Sequence, residues 1–446
     1  MSRTTSRIRR AQLLAALPLV VGFAVAGVTV HPAAAVAPPD ISTSGDEPSV
    51  STPTDLAPLD LTEGAVFSQS NDPHGNEVVA FNRVPNGQLV RVGSFATGGT
   101  GSGGFEDSAT SVVLGRSKGE ASPNNNLQRG NRLFVTNAGS DTISVFKVFE
   151  GRLKLTQVVD SGAAKPVSLT VNDGVLYVLN SNEVADGLIT PNCAPPNQST
   201  RPVITGFTVG KGAHLAPLPG STRVLSGMSG CAQVSFNPSG TSLVVTERTA
   251  KIAGQAPADE GVINVFQVDD DGLLGTRRVY DATSSGPFGF TFTKDGDLLT
   301  SEQNDGLEGP GLGSAAGYHL AANGTLTPSG PSVPNGGTDS CWFVVTDNGR
   351  YGYVSSFFGG GRISSYEVGE QGALALIEGE ADGGSSHEGA SDLALSRNSE
   401  YLYALNSFAG TIDSYEVGAN GALTRIDSDA AHGPSDMAAP FGLAAS

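Results

Sequence analysis

Basic residues are scarce in this sequence: 26 Lys+Arg stand against 44 Asp+Glu in 446 residues, a formal charge of −18. Four of the arginines (Arg3, Arg7, Arg9 and Arg10) fall within the first ten residues, so the chain beyond residue 35 carries 22 basic and 44 acidic groups. A surface of that sign repels phosphate backbones and anionic lipid, which argues against nucleic acid or a membrane surface as partner. Charge of either sign is also low, at 16%, against about 25% in ordinary globular chains. Cysteine is limited to Cys193, Cys231 and Cys341, with no C-x-x-C or His-rich spacing to suggest zinc. Beyond residues 11–30 no run is apolar enough to span a bilayer. The glycine-rich stretch from Gly98 to Gly104 lacks the Lys and following helix of a phosphate loop, and Asp269-Asp270-Asp271-Gly272 lacks the rest of a calcium loop. No Gly-x-Ser-x-Gly elbow is present, and the 3.6-residue period of a helical solenoid is missing.

What is present begins with an export signature. Arg3 to Arg10 form a charged start, Ala11 to Val30 an apolar run, and Ala33-Ala34-Ala35 a small-x-small cleavage pattern. The expectation is a signal peptide over 1–35 and a secreted, extracellular protein, with Sec and twin-arginine routes both open. Residues 36–64, rich in Pro, Ser, Thr and Asp, read as a disordered linker. Glycine is abundant, with 59 residues, and Val, Thr and Phe cluster in short runs, as in strands joined by turns.

Self-comparison organises the remainder. An aromatic inside a β-branched run, a Gly-containing turn and a second apolar run recur, as in TISVFKVFEGRLKL, GVINVFQVDDDGLLG, GRISSYEVGEQGALAL and GTIDSYEVGANGALTR. The anchoring aromatics Phe81, Phe146, Phe207, Phe266, Tyr318, Tyr366 and Tyr415 mark seven units, each with four strand signals. This predicts an all-β fold over 65–446, a seven-bladed β-propeller of four-stranded antiparallel blades. Six first strands are visible, at 109–115, 166–171, 232–237, 287–293, 341–346 and 391–396. The C-terminal segment Pro440 to Ser446 resembles Pro287-Phe288-Gly289-Phe290 and supplies the seventh, so the tail closes the ring and removes an exposed edge.

In such a disc the short hairpin turns fall on one face. The long loops, at 98–108, 181–202, 248–261, 303–316 and 379–390, fall on the other, where a ligand would meet the channel mouth. Cys193 and Cys231 lie on this face in neighbouring blades, which makes them the candidate disulfide; Cys341 reads as a buried thiol. Glu247 and Glu302 end equivalent second strands where other repeats carry Asn137, Asn180 and Asn406. They could share a proton, bind a divalent cation or cap strand-end amides. No cofactor motif accompanies them. His387, beside Glu388 and near Asp392, is a candidate general base, and Trp342 a candidate stacking surface.

The motifs LFVTNAGSDTISVF, VLYVLNSN, FNPSGTSLVVTER, GPFGFTF, CWFVVTDNGRYGYVSS and SDLALSRNSEYLYALNSFAGTIDSYEV together resemble the lactonase family of seven-bladed propellers, which includes 6-phosphogluconolactonases and carboxymuconate cyclases. The resemblance implies hydrolysis or isomerisation of a small cyclic ester. The family's His-x-His position reads Ala164-Lys165-Pro166 here, its Pro-Arg-His reads Cys231-Ala232-Gln233, its Asn-Glu reads Glu247-Arg248 and its Asn-Arg reads Glu302-Gln303. The catalytic candidates are therefore Glu247, Arg248 and Glu302, with Gln233, Gln303, Trp342, His387 and Asp392 as pocket residues. A non-catalytic monomer binding a glycan or protein through the loop-rich face is the alternative.

Overall fold

A computed structural model describes residues 58–104, 108–115, 130–149, 151–182, 201–210, 214–226, 230–248, 261–304, 306, 309–386, 389–430 and 441–446. The export segment, most of the expected linker, Cys193 and His387 lie outside the described residues.

The described strands form seven antiparallel sheets, each with a four-stranded path. Blade 1 runs Ala65–Gln69, Glu77–Arg83 and Leu89–Ala96, and its innermost strand is Phe441–Ala445. Blades 2 to 7 begin with inner strands Val112–Gly115, Pro166–Asn172, Cys231–Phe236, Pro287–Phe292, Thr338–Val345 and Ala390–Leu395. The tail completes the ring as the repeat pattern predicts: Val66 pairs with Ala445 and Phe67 with Ala444. The seven repeat aromatics all lie on third strands and are buried, packing between neighbouring sheets. Burial of an aromatic of this size removes 150–250 Å² from water, which explains why each repeat keeps one.

Two differences from the sequence reading concern boundaries. Residues 58–64, assigned to the linker, pack on the ring. Leu59 is buried, its amide donates to Gly151 O, and Asn82 Nδ2 donates to Pro58 O. Apolar Leu59 finds a place between blades 1 and 2 that a count of Pro and Ser around it hides. In blade 2 the first strand is Val112–Gly115, shorter than the 109–115 read from the sequence.

Blades are laced to one another through side chains on their second strands. Tyr177, Tyr353 and Tyr403 donate to the carbonyls of Gly272, Gly421 and Gly87, the turn glycines of the following blade, at 2.8, 3.0 and 3.2 Å. Nearer the loop-rich face, hydroxyls of Thr246, Ser301 and Ser355 donate to inner-strand carbonyls of Phe288, Cys341 and Ser391 in the next blade. These bonds satisfy buried carbonyls that no strand ladder reaches.

Candidate functional site

Six of the seven inner strands carry a register shift near the end that opens on the loop-rich face. In blade 7, Ala390 pairs with Asn406 and Leu393 with Ala404, leaving Ser391 and Asp392 as the irregular pair. Comparable shifts fall between Pro166 and Ser168, Cys231 and Gln233, Pro287 and Phe290, and Ser340 and Trp342; in blade 1 the shift leaves out Gly442. A bulge bends the strand and re-aims the next side chain. The consequence here is one layer of inner-strand residues around the axis, containing Gln233, Trp342, Asp392 and Leu443.

Blade 2 departs from this pattern. The segment Ser108–Ser111 ahead of its first strand lies across the ring. Ala109 N donates to Ala232 O of blade 4 at 3.1 Å, and Leu169 N of blade 3 donates to Thr110 O at 2.9 Å. Thr110 has φ 63, and its hydroxyl meets that of Ser168 at 2.8 Å. The left-handed backbone disfavours an L-residue, so these tertiary bonds hold it there. Beneath this strap is a cavity of about 20 Å³ whose walls include Thr110, Gln233, Trp342, Asp392 and Leu443. That volume accommodates about one water molecule; a sugar-sized lactone does not fit in it.

The structure thus gathers three of the pocket residues predicted from sequence: Gln233, Trp342 and Asp392. Gln233 is already engaged, donating to Phe290 O and accepting from Phe290 N, both at 2.8 Å, which staples blade 4 to blade 5. Trp342 packs edge-on to Phe288, ring centroids 5.3 Å apart, and its buried indole N–H has no hydrogen-bond partner among the described residues. Asp392 accepts from Leu393 N and Leu443 N at 2.9 Å each, and from Thr110 N. Desolvation pushes its carboxyl up to about 7, with the three amides opposing that shift. Removal from water is the dominant effect because the charged form loses its hydration.

Glu247, Arg248, Glu302 and Gln303 form a second group. Successive strand residues face opposite ways, and Glu247 and Arg248 part accordingly. Glu247 is fully buried and reaches outward, accepting from Ser226 N at 2.9 Å, Ser226 Oγ at 3.1 Å and Asn264 Nδ2 at 2.8 Å, with Arg277 at 3.9 Å. Glu302 repeats the arrangement one blade on, accepting from Ser284 N at 2.9 Å and Ser314 Oγ at 2.6 Å; desolvation raises its pKa. Each carboxylate ties down the segment entering its own blade, the capping role among those the sequence left open. Arg248 instead donates to Gln303 Oε1 at 3.1 Å, and its guanidinium lies 5.9 Å from the Phe288 ring centroid. Gln303 Nε2 continues to Cys341 Sγ at 3.4 Å. Cys341 is a buried thiol outside any disulfide, and Cys231 is disulfide-bonded. Among the described residues no group of three or more His, Cys, Asp or Glu is gathered as for a metal ion.

Sequence reasoning missed the strap: Ser108-Ala109-Thr110-Ser111 carries no unusual composition, and its bonds to blades 3 and 4 with the positive φ at Thr110 show it only in the structure.

With this geometry in view, the class of fold can be stated. No protein-family profile and no curated protein matches the sequence. Solved structures do match in fold. A candidate 6-phosphogluconolactonase from Bacteroides fragilis superposes with a TM-score of 0.59 at 15% identity, covering 87% of this chain and 100% of that one. A protein from Lactobacillus plantarum gives 0.60 at 14%, covering 86% and 99%. The periplasmic gluconolactonase of Pseudomonas aeruginosa gives 0.55 at 16%, covering 84% and 98%. The chain is a seven-bladed β-propeller, and it shares its fold with these structures.

Proposed function

We propose that the protein acts on a small cyclic ester bearing an anionic group, met at the loop-rich face beside Arg248. The observation that carries this reading is a guanidinium just past the end of blade 4's second strand, 7% exposed, held between Gln303 and the Phe288 ring in a chain of net charge −18. A fixed cation in an acidic protein is an anchor for a carboxylate or phosphate. The name of the Pseudomonas gluconolactonase supplies the reaction class, hydrolysis of a sugar lactone. Glu247 and Glu302 enter as positioning residues, because each fixes the backbone from which Arg248 or Gln303 projects. Export and an extracellular life belong to the same proposal, resting on the signal-like residues 1–35.

The test is turnover of a lactone panel, neutral and anionic, by the purified full chain with and without chelator. Arg248→Ala should raise KM for anionic lactones by tenfold or more and leave neutral ones nearly unchanged. Absence of turnover above the spontaneous rate for every lactone would reject the reading. A binding role is the second reading, favoured by Phe408 and Leu312, which are 58% and 57% exposed on the loop-rich face. Saturable binding of a glycan without turnover, weakened by Phe408→Ala, would establish it instead.

A further inference from the structure

The polar groups on the wall of the cavity beneath the strap do not satisfy one another completely. Trp342 is 2% exposed, and its indole N–H donates to none of the described residues. A buried donor left unmet is destabilising. Asp392, on the same wall and 5% exposed, accepts amide hydrogens from Leu393, Leu443 and Thr110. An ionised carboxyl group offers about four acceptor positions, so these three amides leave one, and they favour that ionised form. The other polar side chains of the wall are engaged. Gln233 holds both the N–H and the carbonyl of Phe290, and the Thr110 hydroxyl meets that of Ser168. One strong donor and one strong acceptor remain.

We infer that the cavity beneath the strap is a binding site for a single water molecule, which accepts from the Trp342 indole N–H and donates to the Asp392 carboxyl group.

Size and chemistry select this guest. The cavity of about 20 Å³ has room for about one water. Whatever binds must present a lone pair to the indole and a hydrogen to the carboxylate. Ammonium and metal cations have no lone pair to offer. An anion would meet the charge of Asp392 with no Lys, Arg or His on the wall to offset it. Water supplies both functions, and a buried water with two to four polar partners is a stable part of a fold.

The placement gives the water a structural role. Trp342 lies on the inner strand of blade 6, Asp392 on that of blade 7 and Leu443 on the closing strand. The Leu443 bond to Asp392 already joins residues 51 positions apart. Through the water, blade 6 joins the same junction of tail, strap and blade 7. This role is independent of any reaction at Arg248.

The chain has a single tryptophan, so its indole N–H gives one resonance in the full chain. That proton should show a rotating-frame cross-peak to water with the sign of dipolar contact, opposite to the sign of chemical exchange. Trp342→Phe keeps a ring beside Phe288 and removes the donor. Magnetic relaxation dispersion of the water oxygen should then count about one long-lived water fewer than in the parent. A cross-peak of the exchange sign, no cross-peak at all, or an unchanged count in the folded variant would overturn the inference. If the variant does not fold, the cross-peak in the unaltered protein decides alone.

Discussion

Gln233 shows how a polar residue at a channel can be structural. Its amide group makes two bonds to the backbone of Phe290, a neighbouring blade's inner strand. Gln233→Ala would leave a buried N–H and C=O without partners, and each such loss costs about 1–3 kcal/mol. Denaturant unfolding should therefore show a loss of roughly 2–4 kcal/mol with an unchanged m-value; a change under 0.5 kcal/mol would contradict the staple. The sequence placed Gln233, Trp342 and Asp392 near a mouth because repeat alignment locates strand ends. It could not place the bulges that bring them into one layer, since a bulge depends on pairing between strands. Glu247 and Arg248 were legible as a strand end, and the alternation of strand side chains accounts for their separation. Only the tertiary contacts with Ser226 and Gln303 show where each one points.

At the scale of elements, the strand pattern was legible where aromatics and turn glycines repeat, and illegible where a segment leaves the pattern. Leu59 and the strap at 108–111 are such segments; both are held by contacts distant in sequence that no local composition announces. The closing strand offers a sharper test. Gly442 has φ +70, and a Cβ there would lie 2.3 Å from Ser111 Oγ and 3.0 Å from Val112 N. Ser111 cannot retreat freely because Gln69 Nε2 donates to its hydroxyl at 2.9 Å. Gly442→Ala should lower stability by at least about 1–2 kcal/mol, the cost of the left-handed backbone alone. Thermal unfolding reads this directly, and a variant as stable as the parent would show that the strand is not seated as described.

Across the propeller, the first and last described strands meet in one blade, so the sheet that begins at Ala65 is finished by Phe441–Ala445. Blade-to-blade bonds between Tyr403 and Gly87 and between Gln88 and Asp427 brace the same junction from the other face. Ring architecture spreads stability over seven similar interfaces, yet only this one depends on residues from opposite ends of the chain. The cavity beneath the strap and the Arg248–Gln303 contact both rely on inner strands held in place by closure. Deleting residues 440–446 and following thermal unfolding of the full chain and the truncated form is the most direct test. Closure by the tail predicts that the truncated protein melts at least 10 °C lower, or fails to fold, because it loses a buried strand and leaves an open edge. Coincident melting curves would contradict the account.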